Sequence, residues 1–194
     1  MNRFLLSVLL SLGMMGSGLA QSTPSQRFYL ELEPLQFINR GWSILGHYAI
    51  KERWQVGMNV FASRLSEGQN DYAFEIEGDI DLEARQDFGL NLSVRFFIKK
   101  RAIQRGWVIS LPIGGEIWTL KDKNLNQEEN YRFLYISPRV GYLWFPFKKK
   151  RFFILAEAVA IIPVIKDDPL NLGEARISFK PFVPFPGIGR GGSF

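Results

Sequence analysis

A single histidine, His47, and no cysteine limit the chemistry open to this chain of 194 residues. A nucleophilic centre would have to use His47 as its base. Ser43 shares a strand face with it, and Glu31 or Glu33 on a neighbouring strand could complete a Ser-His-acid arrangement. No local hydrolase signature surrounds these residues, so His47 is expected to be an interior hydrogen-bonded histidine and no catalytic residue is assigned. Metal chemistry is weaker still: "EIEGDIDLE" alternates Glu75, Glu77, Asp79, Asp81 and Glu83 without the full EF-hand pattern. The expected reading is a solvated hairpin with one charged face, and neither metal nor cofactor is assigned. "GIGRGG" near the C-terminus lacks the strand–turn–helix context of a dinucleotide site. That leaves "WFPFKKKRFFI", where Lys148 to Arg151 lie between aromatic blocks, a pattern open to nucleic-acid binding.

The N-terminus bears on that last option. Residues 1–20 read as a secretory signal peptide: Arg3 forms the n-region, Phe4 to Leu12 the apolar core, and Gly18-Leu19-Ala20 the cleavage site. An exported chain has little occasion to meet nucleic acid. Residues 21–194 are expected to form one domain, large enough to fold without disulfides. The net charge of +5 is spread in alternating blocks. After residue 20 no apolar run is long enough for a membrane helix, whereas barrel strands need only ~9–11 residues each.

From Phe28 onward the pattern is that of β-strands, with period-two apolar residues and many aromatic or β-branched side chains. The expected segments are 27–38, 42–50, 54–63, 86–98, 107–119, 132–146, 152–165 and 176–187. Their connectors alternate in kind. Lys51-Glu52-Arg53, "KKRAIQRG" and Lys148 to Arg151 are short and basic; 64–84, 121–130 and 166–175 are longer and carry more acidic than basic residues. Short turns at one end and long loops at the other are what an up-and-down outer-membrane barrel shows. The expected fold class is all-β, an eight-stranded antiparallel up-and-down transmembrane β-barrel.

Each strand has one nearly pure apolar face. In the fourth, Phe88, Leu90, Leu92, Val94, Phe96 and Ile98 oppose Asp87, Gly89, Asn91, Ser93, Arg95 and Phe97. The mixed faces are rich in glycine, serine and asparagine with isolated ions, which suits a narrow packed lumen. Burying an ion costs several kcal/mol unless it is paired. A structural charge network is therefore expected from Glu31, Glu33, His47, Glu116 and Glu157 with Arg95, Arg139 and Lys180. Trp54, Phe96, Trp107, Trp144 and Phe152 near the short turns, with Trp42 at the opposite end, would form aromatic girdles at the membrane interfaces.

With these features the chain resembles the small eight-stranded outer-membrane barrels, the class that includes the OmpA transmembrane domain and OmpX. The resemblance rests on the leader, the alternating strands, the unequal connectors and terminal Phe194. It implies an outer-membrane location, contact with outer-membrane lipid, and insertion by a barrel-assembly machinery that recognises a final strand ending in an aromatic residue. It also implies a monomer with a non-enzymatic role in envelope structure or surface interaction and a lumen filled by side chains. Nucleic acid is not an expected partner, and no loop ligand is assigned. Two alternatives are a soluble periplasmic calyx for an apolar ligand and a lipid-active barrel enzyme using His47. The segment "PFVPFPGIGRGGSF" departs from the pattern, since proline cannot donate to a sheet ladder; the last strand is expected to bulge or stop near Gly187.

Overall fold

Alternating side chains with β-branched and aromatic character become strand almost throughout. The computed structural model describes residues 28–33, 40–65, 67–99, 105–146 and 152–193. The segments expected to be a leader (1–20) and a turn at Lys148 to Arg151, most of "KKRAIQRG", and Phe194 lie outside the described residues. In chain order the elements are β1 (Phe28–Leu32), β2 (Trp42–Lys51), β3 (Trp54–Arg64), α1 (Glu67–Ala73) and β4 (Phe74–Glu77). Then come β5 (Leu82–Phe97), β6 (Gly106–Asp122), β7 (Gln127–Ile136), β8 (Arg139–Trp144) and β9 (Phe152–Lys166). The last are β10 (Leu170–Leu172), β11 (Ala175–Phe179) and β12 (Val183–Ser193).

Nine of these strands make a closed ring of eight positions. The order is β12-β1-β2-β3-β5-β6, then β7 and β8 in one position, then β9, which pairs back onto β12. All described pairings in the ring are antiparallel. β7 and β8 lie between the same neighbours, separated at Ser137-Pro138 because proline has no amide to give the ladder. The Ser137 N–H bonds instead to the Pro112 carbonyl at 2.8 Å. The ring closes where Tyr29 of β1 meets Ser193 of β12.

Three expectations about elements need correction. The closing strand is β12, not a strand over 176–187, and it continues to Ser193 rather than stopping near Gly187. Two of its glycines make room inside the lumen: a Cβ on Gly189 would overlap the Glu31 carboxylate, and one on Gly191 would overlap the Phe153 ring. Residues 176–179, expected in the barrel wall, belong with Ala175 to β11 of a second, three-stranded sheet ordered β10-β11-β4. The acidic "EIEGDIDLE" stretch is correspondingly no long hairpin. Glu75 and Glu77 alternate with Phe74 and Ile76 in β4, and the acidic side chains are exposed while Phe74 is buried.

That small sheet covers the loop end of the barrel. Phe74, Leu172, Ile177 and Phe179 pack on Trp118, Leu120, Tyr131 and Phe133 of the wall. Phe179 stacks on Phe133 with centroids 4.2 Å apart and meets Phe74 edge-on at 5.4 Å. At the turn end a separate cluster of Tyr29, Phe97, Val108, Leu143, Phe153 and Leu155 fills the lumen. No helix among the described residues is long and apolar enough to cross a membrane.

Candidate functional site in the barrel lumen

Polarity is inverted relative to a water-soluble protein. The exposed side chains of the wall are the apolar rows: Ile44, Met58, Leu92, Ile113, Leu134 and Val140 all face out, Leu92 at 63% exposure. Inward positions of the same strands carry Ser43, His47, Gln55, Asn59, Asn91, Ser93, Arg95 and Glu116, each nearly inaccessible. Outward Arg190 lies close to the turn end of β12, within reach of an interface for a snorkelling side chain.

The inward ions meet between the turn-end cluster and the loop-end cap. Arg95 Nη1 lies 3.1 Å from Glu31 Oε2, and its Nη2 is 4.0 Å from Glu157 Oε1. Arg139 Nη1 reaches Glu33 Oε1 at 3.5 Å and Glu157 Oε2 at 3.6 Å. Glu157 thus links two guanidinium groups from opposite sides. The fork of an arginine suits this sharing, and breaking such a pair leaves a bare charge. A layer higher, Glu116 Oε2 accepts a bond from Trp118 Nε1 at 2.8 Å, and Asn91 Nδ2 donates to Tyr135 Oη at 3.2 Å. Ser63 donates to Gln86 at 2.8 Å.

Of the residues expected in the network, Glu31, Glu33, Arg95, Arg139 and Glu157 come together, and Glu116 stands one layer above. Lys180 does not join them. It follows β11 at the cap, where its Nζ donates to the Asp71 carbonyl, because the segment that carries it is not barrel wall. His47 is buried in the lumen with Nε2 at 3.8 Å from Glu31 Oε2, beyond hydrogen-bond length. Neither ring nitrogen has a hydrogen-bond partner, contrary to expectation. Gly57 leaves its place, since a Cβ there would overlap the imidazole.

The Ser-His-acid arrangement is not assembled. Ser43 and His47 sit on one strand and one face, which separates them by ~13 Å at the usual rise per residue. Ser43 Oγ donates to Asn59 Oδ1 at 3.0 Å instead. Among the described residues no group of histidine or carboxylate side chains could hold a metal ion.

The aromatic residues singled out at strand ends lie on the outer wall. Trp42, Trp54, Trp107 and Trp144 are exposed. Trp54 packs on Phe96 across the β3/β5 ladder at 4.8 Å. Trp107 meets Tyr142 edge-on at 5.4 Å, and Phe152 begins β9. Above the ionic layer lies a cavity of about 570 Å³, reaching from Arg139, Glu33 and Glu116 up to Phe61, Phe179 and Val183. Sequence reasoning missed Asn59, Gln86, Trp118 and Tyr135 as its lining; inward parity was the available signal for Asn59, Trp118 and Tyr135, whereas Gln86 turns inward through a register shift before Phe88.

The barrel fold, rather than the lumen site, is what the comparison with solved structures shows. The N-terminal β-barrel domain of Pseudomonas aeruginosa OprF superposes with a TM-score of 0.51 at 9% identity, over 86% of this chain and 95% of that one. The fold is that of a small outer-membrane β-barrel. Ail, the attachment invasion locus protein of Yersinia pestis, is also similar: TM-score 0.42, 13% identity, 86% of this chain and 93% of that one. No family model matches the chain. No curated protein matches it in sequence.

Proposed function

We propose that the barrel is a non-enzymatic outer-membrane protein that serves envelope structure or surface interaction through its capped loop end. The observation that carries this reading is the inverted wall: a closed ring with apolar side chains outside and paired ions inside. Open edges and unpaired backbone groups are excluded from lipid, and a closed barrel has neither. A soluble calyx requires the opposite assignment of faces, with the apolar rows inside. Trp42 on one side and Trp54, Phe96, Trp107, Trp144 and Phe152 on the other would anchor the two interfaces. The partners proposed are outer-membrane lipid and, during biogenesis, a barrel-assembly machinery; the mature chain is proposed to be a monomer.

Fractionation tests this directly. The chain is expected in the outer-membrane fraction, released by detergent, and migrating faster on a denaturing gel before boiling than after. Recovery in the detergent-free periplasm would overturn the proposal.

A further inference from the structure

The cavity beneath the cap has an apolar body and a polar floor, the arrangement of a small-molecule site, and its volume lies within the ~300–1,000 Å³ usual for one. Phe61, Val159, Ile161, Phe179, Val183 and Phe185 form the body. The floor offers Asn59, Gln86, Glu116 and Arg139, and Arg139 Nε has no hydrogen-bond partner. Below and around it the lumen holds four carboxyl groups, Glu31, Glu33, Glu116 and Glu157, against the two guanidinium groups of Arg95 and Arg139. An anionic head would meet an excess of like charge there. An uncharged, hydroxyl-bearing head would find donors and acceptors.

The wall beside the cavity is also unusual. The cavity is bordered by inward-facing Phe185 and Gly187 and by outward-facing Pro186 and Ile188, so it touches both faces of β12. Ala160 pairs with Pro184, yet its N–H donates away from β12, to the Pro138 carbonyl at 3.2 Å. The pair is therefore of the non-hydrogen-bonded kind, and the Pro184 nitrogen points to the opposite edge. Pro186, two residues on, has the same orientation. That edge is the one β1 occupies at Arg190. Two consecutive donor positions on it are blank, whatever strand lies alongside.

We propose that the cavity binds a single-chain lipid with an uncharged hydroxylated head, of the monoacylglycerol class, which reaches it sideways from the bilayer past the proline-bearing edge of β12. The acyl chain occupies the apolar body under the cap, and the head lies against Gln86, Asn59 and Glu116. This rests on the membrane reading given above.

The test uses the chain in lipid nanodiscs, in two single-tryptophan forms that keep Trp107 or Trp118 with the other tryptophans changed to phenylalanine. Brominated phospholipid is expected to quench outward-facing Trp107 and to leave Trp118, inside the lumen, bright. A dibrominated monoacylglycerol in unbrominated discs is expected to quench Trp118 saturably. The matching dibrominated fatty acid should require about tenfold more for the same quenching, a difference of ~1.4 kcal/mol. Val159→Phe and Gly187→Leu fill the cavity from different strands, and each should remove the quenching in protein that keeps its heat-modifiable migration. Pro184→Thr with Pro186→Thr should slow its onset.

If phospholipid fails to quench Trp107, the membrane reading falls. If it quenches Trp107 but the monoacylglycerol leaves Trp118 bright, or if both filled variants still quench, the site alone falls. Equal potency of the fatty acid overturns the head-group assignment, and an unchanged onset in the proline variants overturns the sideways passage.

Discussion

Arg95 neutralises Glu31 at contact distance and approaches Glu157, all in a lumen closed to bulk water on the turn side. Arg95→Ala is expected to cost ~3–5 kcal/mol, because it strands a buried carboxylate, whereas Arg95→Met with Glu31→Leu removes both charges and should cost far less. Urea unfolding in lipid vesicles measures both. Gly189 is constrained by the same carboxylate, so Gly189→Ala should destabilise the barrel by ~1–3 kcal/mol through overpacking. The same unfolding assay reads it, and a neutral result would mean that Glu31 has room to move. The ionic layer was legible in the sequence because alternation assigns Glu31, Arg95, Arg139 and Glu157 to the inward face once their strands are known, whereas the register shift before Phe88 turns Gln86 inward and Asp87 outward against the pattern. What alternation does not carry is the third dimension: it placed His47 inside but not its distance from Glu31 or its lack of a hydrogen bond.

At the scale of elements, β5 shows how directly parity sets the wall. Leu90, Leu92 and Val94 are exposed, while Asn91, Ser93 and Arg95 are buried. Leu92→Arg near the middle of that outward row should cost ~2–4 kcal/mol in a bilayer, and much less in a detergent that deforms around the side chain. Comparing unfolding midpoints in vesicles of different thickness checks this. The long loops were harder to read. β11 has the same period-two pattern as a wall strand, and nothing local distinguishes a strand that pairs with β4 from one that pairs with β9. Lys180 was misplaced for that reason. The prolines of β12 misled in the other direction, suggesting a broken strand where one ladder, to β9, remains complete through Gly192.

For the whole molecule, three layers stack along the axis: an aromatic and aliphatic cluster at the turn end, the ions, and the capped cavity. Among the described residues such a stack leaves no continuous wide path, so planar bilayers containing the folded protein should show no large steady conductance, in keeping with filled eight-stranded interiors. A porin-sized current would contradict the layering. The meeting of Tyr29 with Ser193 also bears on assembly. Because the seam joins the two extremes of the described chain, each earlier stage of folding carries two unsatisfied strand edges, and hydrocarbon tolerates neither. A partly built wall has no stable place inside the membrane, so insertion and closure become one event whose timing is set by the arrival of the last strand. A chain truncated before Val183 should accordingly remain at the bilayer surface or aggregate, with all the other strands present and nowhere to go.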